Sequence, residues 1–204
     1  MNKKRAYQVF YALKKRYPGA KIALSYSNNF ELLVAVMLSA QTTDVQVNKV
    51  TRNLFPKYKG KSEKEELGNF ANADLKTLEN DINSVGLYKT KAKNIKRTAR
   101  LILVKFRGKI PKTMDSMLLL PGVGRKTANV VLWNAYGIIS GIAVDTHVIK
   151  QAKELGLTKN TDPGKIEKDL MTLFDKKDWP KVTYLLIEYG RDIRRDKNNK
   201  LLLT

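Results

Sequence analysis

Apolar residues recur at helical spacing along most of this 204-residue chain, and the alternation of apolar and polar positions that is typical of strands is nearly absent. The pattern predicts an all-α protein of about ten or eleven helices. Asn29 is the expected cap of the second helix, and Pro56 is expected to follow the end of the third. The predicted helices span residues 3–16, 30–38, 44–55, 62–70, 74–82, 89–106, 113–119, 125–136, 145–155, 163–174 and 180–189.

One proline and two glycines interrupt the pattern at residues 120–127, Leu-Pro-Gly-Val-Gly-Arg-Lys-Thr, directly before an apolar helix. They predict a tight turn, and therefore a helix-hairpin-helix over about residues 113–136. Backbone N–H groups at a helix start have no partner within the helix, so a phosphate can dock there. Glycine permits a close approach because it has no side chain. An ordinary turn between helices remains the alternative.

The charge of the chain favours a polyanionic partner. Its 39 Lys and Arg against 19 Asp and Glu give a net charge of +20. Residues 82–114 hold ten basic residues, Lys89 and Lys91 among them, and no acidic one. A solvated lysine-rich surface is the alternative, but it explains the lack of acids poorly.

The rarest residue types exclude several kinds of chemistry. The chain has no cysteine and a single histidine, so disulfides, thiolate or multi-histidine metal sites and cysteine nucleophiles are excluded. No apolar stretch is long enough to span a membrane, and residues 1–16 lack a signal-peptide core. We therefore expect a cytoplasmic protein without membrane contact.

Lys126 and Asp145 are the candidate catalytic residues. Lys126 follows the hairpin glycines, where the positive helix end, the adjacent Arg125 and partial burial should lower the pKa of its ammonium toward neutrality. A neutral amine can attack a sugar carbon and form a Schiff base. Asp145, in the run Val-Asp-Thr-His, is typical of a helix N-cap, and it can also stabilise positive charge on a sugar. A charged lysine that only contacts phosphate, and a purely structural cap, are the alternatives. We expect His147 to be structural.

Four segments in the same order resemble the endonuclease III family of helix-hairpin-helix DNA glycosylases. They are residues 30–44, 85–92, 120–131 and 142–147. The resemblance implies a two-lobed helical glycosylase fold. One lobe would be a helical barrel of residues 23–138 that contains the hairpin, and the second would combine residues 1–22 with 139–204.

The same resemblance implies a bifunctional glycosylase and abasic-site lyase of base excision repair. Such an enzyme removes oxidised pyrimidines and cleaves the strand by β-elimination, with Lys126 as the Schiff-base nucleophile and Asp145 as the essential carboxylate. A glycosylase for another lesion, such as oxidised guanine, and an inactive helix-hairpin-helix DNA-binding protein are the alternatives. The implied partner is damaged double-stranded DNA, bound by a monomer of prokaryotic type near the nucleoid.

Further site residues follow from the resemblance and from the basic stretch. Gln41 and Leu87 correspond to side chains that enter the duplex when a nucleotide is flipped out. The backbone carbonyls of Leu118, Leu120 and Val123 are expected to hold a monovalent cation, Na+ or K+. The expected DNA-binding residues are Gln41, Leu87, Lys89, Lys91, Gly122, Val123, Gly124, Arg125, Arg191 and Arg194.

The chain departs from the family in one respect. Relatives commonly end in four cysteines that hold a four-iron, four-sulfur cluster, whereas this chain has none and continues as a charged tail from Arg191. We therefore expect no iron–sulfur cluster and no required cofactor. Basic residues of the tail are expected to supply the DNA contacts that the cluster loop makes elsewhere, namely Arg191, Arg194, Arg195, Lys197 and Lys200.

Overall fold

The protein is all-helical in the computed structural model, which describes residues 2–196 and 198. Within that part of the chain there are eleven α-helices, one short 3-10 helix (Lys176–Asp178) and no strand, so the predicted fold class is confirmed. The α-helices are α1 (Lys3–Arg16), α2 (Asn29–Leu38), α3 (Asp44–Tyr58), α4 (Glu63–Asn72), α5 (Leu75–Asp81), α6 (Tyr88–Lys105), α7 (Met114–Leu118), α8 (Arg125–Tyr136), α9 (Thr146–Glu154), α10 (Pro163–Leu173) and α11 (Trp179–Arg195).

The chain forms two compact units. Residues 23–138, with α2 to α8, form one unit. The described parts of residues 1–22 and 139–204, with α1 and α9 to α11, form the other. The second unit has its own apolar core, in which Phe10 of α1 packs against Phe174 with ring centroids 5.9 Å apart.

Most helices begin at a side-chain cap. The carboxylate, amide or hydroxyl oxygen of the capping residue accepts a backbone N–H of the first turn, which has no partner within the helix. The cap of α2 is Asn28, not Asn29 as expected, because the Asn28 side chain accepts the N–H of Glu31 at 2.8 Å. The capping residues are Asn2, Asn28, Thr43, Ser62, Asp74, Thr113, Asp145 and Asp162.

Two predicted helix ends were wrong because tertiary contacts extend the helix. Helix α3 continues past Pro56 to Tyr58, which stacks on Phe70 with centroids 4.6 Å apart. Helix α11 continues through the expected charged tail to Arg195. There Ile193 is buried and Asp192 accepts hydrogen bonds from the side chains of Arg16 and Tyr17. The local sequence favours a helix end at both places, but the stabilisation from tertiary packing outweighs this local preference.

Helix α2 is the centre of the larger unit. Every residue from Phe30 to Leu38 is buried, and the helix packs against α3, α6 and α8. A helix that is apolar on all sides is stable only when it is enclosed in this way. The loop that leaves its C-terminal end, residues 39–43, therefore starts from a fixed position; we call it the α2–α3 loop.

Two buried carboxylates lie near the N-terminal end of α2. Glu31 accepts hydrogen bonds from the backbone N–H and the hydroxyl of Ser27. Glu66 accepts one from Asn28 Nδ2 at 2.9 Å on Oε2, while its Oε1 has no hydrogen-bond partner among the described residues. Burial raises the pKa of Glu66 from its ordinary value of 4.5 to about 7.

The raised pKa makes stability depend on pH. The folded state binds this proton more tightly than the unfolded chain does, so the stabilisation is complete below about pH 4.5 and is lost as the pH rises through 7. We expect Glu66→Gln to remove on the order of 1–2 kcal/mol of the fall in unfolding free energy between pH 5 and pH 8. Urea denaturation at both pH values measures this difference. Glu154→Gln, at an exposed carboxylate, is the control, and equal pH dependence of wild type and Glu66→Gln would contradict the prediction.

Candidate active site and nucleic-acid interface

The helix-hairpin-helix consists of α7, a tight turn and α8. Gly122 lies in the turn with φ +79°, a backbone conformation that only glycine adopts without strain. A Cβ at this position would lie 2.8 Å from Asn94 Nδ2 of α6. The hydroxyl of Thr98, also on α6, donates to the Pro121 carbonyl at 2.9 Å. Helix α6 therefore packs against the turn and holds it in place.

The start of α8 is built to receive an anion. Gly124 is its N-cap and offers no side-chain cap, and a Cβ at Gly124 would meet nothing within 4 Å. The helix dipole gives this end a partial positive charge. An uncapped, uncovered helix start of this kind can accept a phosphate oxygen.

A hydrogen bond within the turn bears on two contacts that we expect there, the DNA contact of Val123 and the cation site. Val123 is buried and its N–H donates to the Leu120 carbonyl at 3.1 Å, so this N–H is used inside the hairpin. The cation expected at the carbonyls of Leu118, Leu120 and Val123 stays a prediction. Leu120 keeps a second lone pair for such an ion, because a carbonyl oxygen has two.

Lys126 is the second residue of α8 and is half-buried. Its Nζ lies 3.4 Å from Ser39 Oγ, a long hydrogen bond, and Ser39 Oγ donates to the Val36 carbonyl at 2.8 Å. Ser39 is the C-cap of α2. The amine is thereby directed to the start of the α2–α3 loop. The lowered pKa expected for Lys126 stays a prediction.

The structure brings the loops of Gln41 and Leu87 together. Gln41 lies in the α2–α3 loop, and Leu87 ends the segment of residues 82–87, which we call the α5–α6 loop. The backbone N–H of Gly86 donates to Thr42 Oγ1 at 3.2 Å. A Cβ at Gly86 would lie 3.1 Å from the Gln41 carbonyl oxygen, so the two backbones touch.

Both Gln41 and Leu87 hold left-handed backbone conformations, with φ +53° and +57°. Such a conformation costs a residue with a Cβ on the order of 1–2 kcal/mol. Leu87 is 59% exposed, so it does not belong to the core. An exposed apolar side chain on a strained backbone is typical of a functional position. Arg107 has a similar φ of +55°, for which the structure suggests no role.

Asp145 is held as the N-cap of α9. Its Oδ1 accepts the N–H of Val148 at 2.9 Å, and the preceding residues 142–144 are buried. The Ala143 carbonyl accepts a hydrogen bond from the Thr183 hydroxyl at 3.2 Å. The position of Asp145 is therefore fixed on both sides, and Oδ2 is not part of the cap.

His147 packs against α11. A Cβ at Gly190 would lie 2.7 Å from its Nδ1, so α9 and α11 approach closely at this point. This contact fits the structural role that we expect for His147.

The expected DNA-binding residues differ in accessibility. Arg125, Lys89 and Arg194 are exposed, whereas Arg191 forms an ion pair with Glu188 at 2.7 Å. Arg191 and Arg194 belong to the last turns of α11, not to a tail. Lys197 and Lys200 lie outside the described residues.

Lys91 does not lie on the surface where a phosphate contact was expected. Lys91 is 6% exposed, and its Nζ donates to the backbone carbonyls of residues 38 and 40 and to the hydroxyl oxygen of residue 42. An ammonium group has three hydrogens, so these contacts use all of them. We therefore correct its expected role in DNA binding. Helical periodicity carried the signal for burial, because Lys91 shares a face of α6 with the apolar residues at positions 95, 99 and 102.

Comparison with known proteins identifies the family. The HhH-GPD superfamily of base excision DNA repair proteins matches residues 34–176. The endonuclease III of Synechocystis is 46% identical over 191 residues, which cover 94% of this chain and 84% of the relative. The Bacillus subtilis endonuclease III is 45% identical over 86% of this chain and 77% of its own length. The chain belongs to the endonuclease III family.

Solved structures agree with this membership. The structure of a trapped covalent intermediate of an endonuclease III with DNA matches with a TM-score of 0.88 and 40% identity. The match covers 94% of this chain and 87% of that one. The predicted family, glycosylase fold and enzyme class of DNA glycosylase and lyase are confirmed.

The residues of the present chain do not fit an iron–sulfur cluster, because its sequence contains no cysteine to ligate one. Among residues 2–196 and 198, no group of His, Asp and Glu is arranged to hold a metal ion either. In the same part of the chain, no helix is long and apolar enough to cross a bilayer.

The two hairpin glycines should respond differently to alanine. Gly122→Ala forces a Cβ into a left-handed backbone and against Asn94, so we expect the free energy of unfolding to fall by about 1–3 kcal/mol. Gly124→Ala is the matched control, because its Cβ meets open space; the expected loss is below about 1 kcal/mol. Urea denaturation compares the two, and equal losses would show that the turn does not depend on its φ.

Proposed function

We propose that this chain removes oxidised pyrimidines from duplex DNA and then cleaves the strand by β-elimination. The observation that carries the proposal is the placement of Lys126 directly behind the uncapped N-terminus of α8. A helix start that grips a DNA phosphate sets an adjacent amine beside the sugar of the same strand. The trapped covalent intermediate of the matched endonuclease III with DNA supports a covalent route in this family.

Lys126 acts as the nucleophile in the proposed reaction. Its Nζ lone pair forms a bond to C1′ while the bond between C1′ and the base nitrogen breaks, and the base leaves with that electron pair and a proton. The amine then loses a proton, its lone pair forms the C1′=Nζ bond as the C1′–O4′ bond breaks, and O4′ takes up a proton, so that the sugar ring opens to a protonated imine. Loss of a C2′ proton then expels the 3′ phosphate by β-elimination. Water hydrolyses the imine and returns the free amine.

Asp145 is the proposed electrostatic partner. A carboxylate stabilises the positive charge that develops on the sugar as the base departs. The cap at Oδ1 holds the group in place, so that it need not reorganise during the reaction. Capping and catalysis are therefore compatible roles for one side chain.

Gln41 and Leu87 are the proposed duplex-filling residues. A base inside a duplex cannot be reached by an enzyme, so the nucleotide must be flipped out and the space filled. The contact between the α2–α3 and α5–α6 loops supports this role, because it places both residues on one joined structure.

The remaining interface is electrostatic. We propose that Lys89, Gly122, Gly124, Arg125, Arg191 and Arg194 contact the DNA backbone, with Val123 shaping the turn and a Na+ or K+ ion at the hairpin carbonyls. Counterion release makes such binding strongly dependent on salt. We propose a monomer that acts on damaged double-stranded DNA in the cytoplasm, at the nucleoid.

Borohydride trapping tests the nucleophile. The wild type should form a covalent adduct with duplexes that carry thymine glycol or an abasic site, because borohydride reduces the imine. Lys126→Gln should lose the adduct completely, and Lys150→Gln, at an exposed lysine of α9, should keep it. No adduct with the wild type would contradict the lyase, and an adduct only with 8-oxoguanine would favour the oxidised-guanine alternative. Persistence of the adduct in Lys126→Gln would exclude this nucleophile.

Asp145→Asn tests the carboxylate apart from its cap. Asparagine caps helices as well as aspartate does, so folding and DNA binding should be retained while base excision falls by about a hundredfold or more. Single-turnover excision and thermal unfolding measure the two effects. Asp162→Asn makes the same change at the N-cap of α10 and should leave excision unchanged. If Asp145→Asn and Asp162→Asn behave alike, Asp145 is only a cap.

A further inference from the structure

A buried ammonium group lies behind the two residues that we propose to enter the duplex. Lys91 Nζ donates to the Leu38 carbonyl at 2.8 Å, to the Ala40 carbonyl at 2.5 Å and to Thr42 Oγ1 at 3.2 Å. Burial lowers the pKa of Lys91 to about 8, so the ammonium is still the main form at neutral pH. All of its acceptors belong to the last residue of α2 and to the α2–α3 loop.

These acceptors need a donor. The last carbonyls of a helix lack partners within the helix, and the C-terminal end carries a partial negative charge. Leu38 is fully buried, so water is largely excluded from its carbonyl oxygen, whereas the Ala40 and Thr42 acceptors are only partly buried. The Lys91 ammonium supplies both the hydrogen bonds and the opposite charge, and it acts as a C-terminal cap from another helix.

The same contact continues to the second loop. Thr42 Oγ1, which binds Lys91, also accepts the N–H of Gly86 at 3.2 Å. A parallel link runs from Gln46 Nε2 to Ser84 Oγ at 2.8 Å. The backbone N–H of Lys91 itself donates to the Leu87 carbonyl at 3.0 Å. Lys91 therefore binds the loop of Gln41 with its side chain and Leu87 with its backbone.

We propose that Lys91 is a positioning residue for nucleotide extrusion. Its ammonium holds the α2–α3 loop against the α5–α6 loop, and this keeps Gln41 and Leu87 in their left-handed backbone conformations before DNA binds. Both conformations are costly for an isolated loop. Because the free protein already holds these conformations, DNA binding does not have to supply their energy. More of the binding energy is then available for unstacking the duplex. The inference rests on the proposed role of Gln41 and Leu87.

Lys91→Met is the principal test, since methionine retains an apolar stem and removes the ammonium. The probe is a duplex with a tetrahydrofuran abasic analogue and a neighbouring 2-aminopurine, whose fluorescence rises when it unstacks. At saturating protein, we expect Lys91→Met to lose at least half of the wild-type rise. The excision kcat should fall about tenfold, while the salt dependence of the Kd is unchanged because no phosphate contact is lost.

Lys89→Met is the matched control. Lys89 lies two residues before Lys91 on α6 and is exposed, with Nζ 6.0 Å from the Tyr88 ring centroid. Its loss should lower affinity most at low salt and reduce the salt slope by about one contact. At saturation it should keep the full fluorescence rise. A Lys91→Met variant that behaves like Lys89→Met would overturn the proposal and restore a phosphate contact.

Two milder variants decide the question if Lys91→Met fails to fold, as thermal unfolding would reveal. Thr42→Val leaves Lys91 bound to the two carbonyls and removes Thr42 Oγ1, which accepts from both Lys91 Nζ and the Gly86 N–H. Gly86→Ala sets a Cβ 3.1 Å from the Gln41 carbonyl and must push the loops apart by a few tenths of an ångström. Both should fold and lose part of the fluorescence rise. A full rise and full excision in both would overturn the proposal.

The proposed function can fail separately. A wild type that gives no borohydride adduct and no fluorescence rise contradicts the proposed function itself. A wild type that gives both, together with a Lys91→Met variant that unstacks the duplex normally, contradicts only the positioning role of Lys91.

Discussion

The buried C-terminal end of α2 is the constraint on which the rest of the candidate site depends. An apolar helix enclosed on all sides cannot expose its last carbonyls to water, and the chain must supply donors for them. It does so with a lysine from α6, while a second lysine from α8 lies beside the C-cap serine. The loop that follows is consequently in contact with the hairpin helix, with α6 and with the α5–α6 loop. The buried end of one helix thus defines the arrangement of the residues that we assign to nucleophilic attack and to duplex entry.

Much of the fold follows from local signals in the sequence. The bounds of α1 and α8 match the prediction because each has strong signals at its ends, such as the left-handed Gly137 that closes α8. The ends of α3 and α11 were not predictable in this way. A proline and a charged segment argue for a stop, and only contacts with residues distant in the chain argue against it.

The candidate site shows the same division. The glycines of the hairpin, Lys126 and Asp145 could be proposed as candidates from the chain because their signals come from neighbouring residues in the sequence. Lys91 was misassigned because a run of basic residues gives charge but not direction. On a helix that passes through the interior, one lysine of such a run can point inward while Lys89 and Lys93 remain exposed. A count of basic residues that ignores which face of the helix each one occupies overstates the size of a DNA-binding surface.

The left-handed backbones at positions 41 and 87 also restrict how these positions can vary. Side chains that branch at Cβ are strongly disfavoured at positive φ, so valine, isoleucine and threonine are poor choices at both. Leucine branches one carbon later and combines apolar bulk with tolerance of this backbone. The free protein therefore limits the residues available at these two positions through its own backbone geometry, before any requirement imposed by DNA. Variation in this family at the two positions that we propose to enter the duplex is expected to be narrower than the chemistry of filling a gap in DNA would demand.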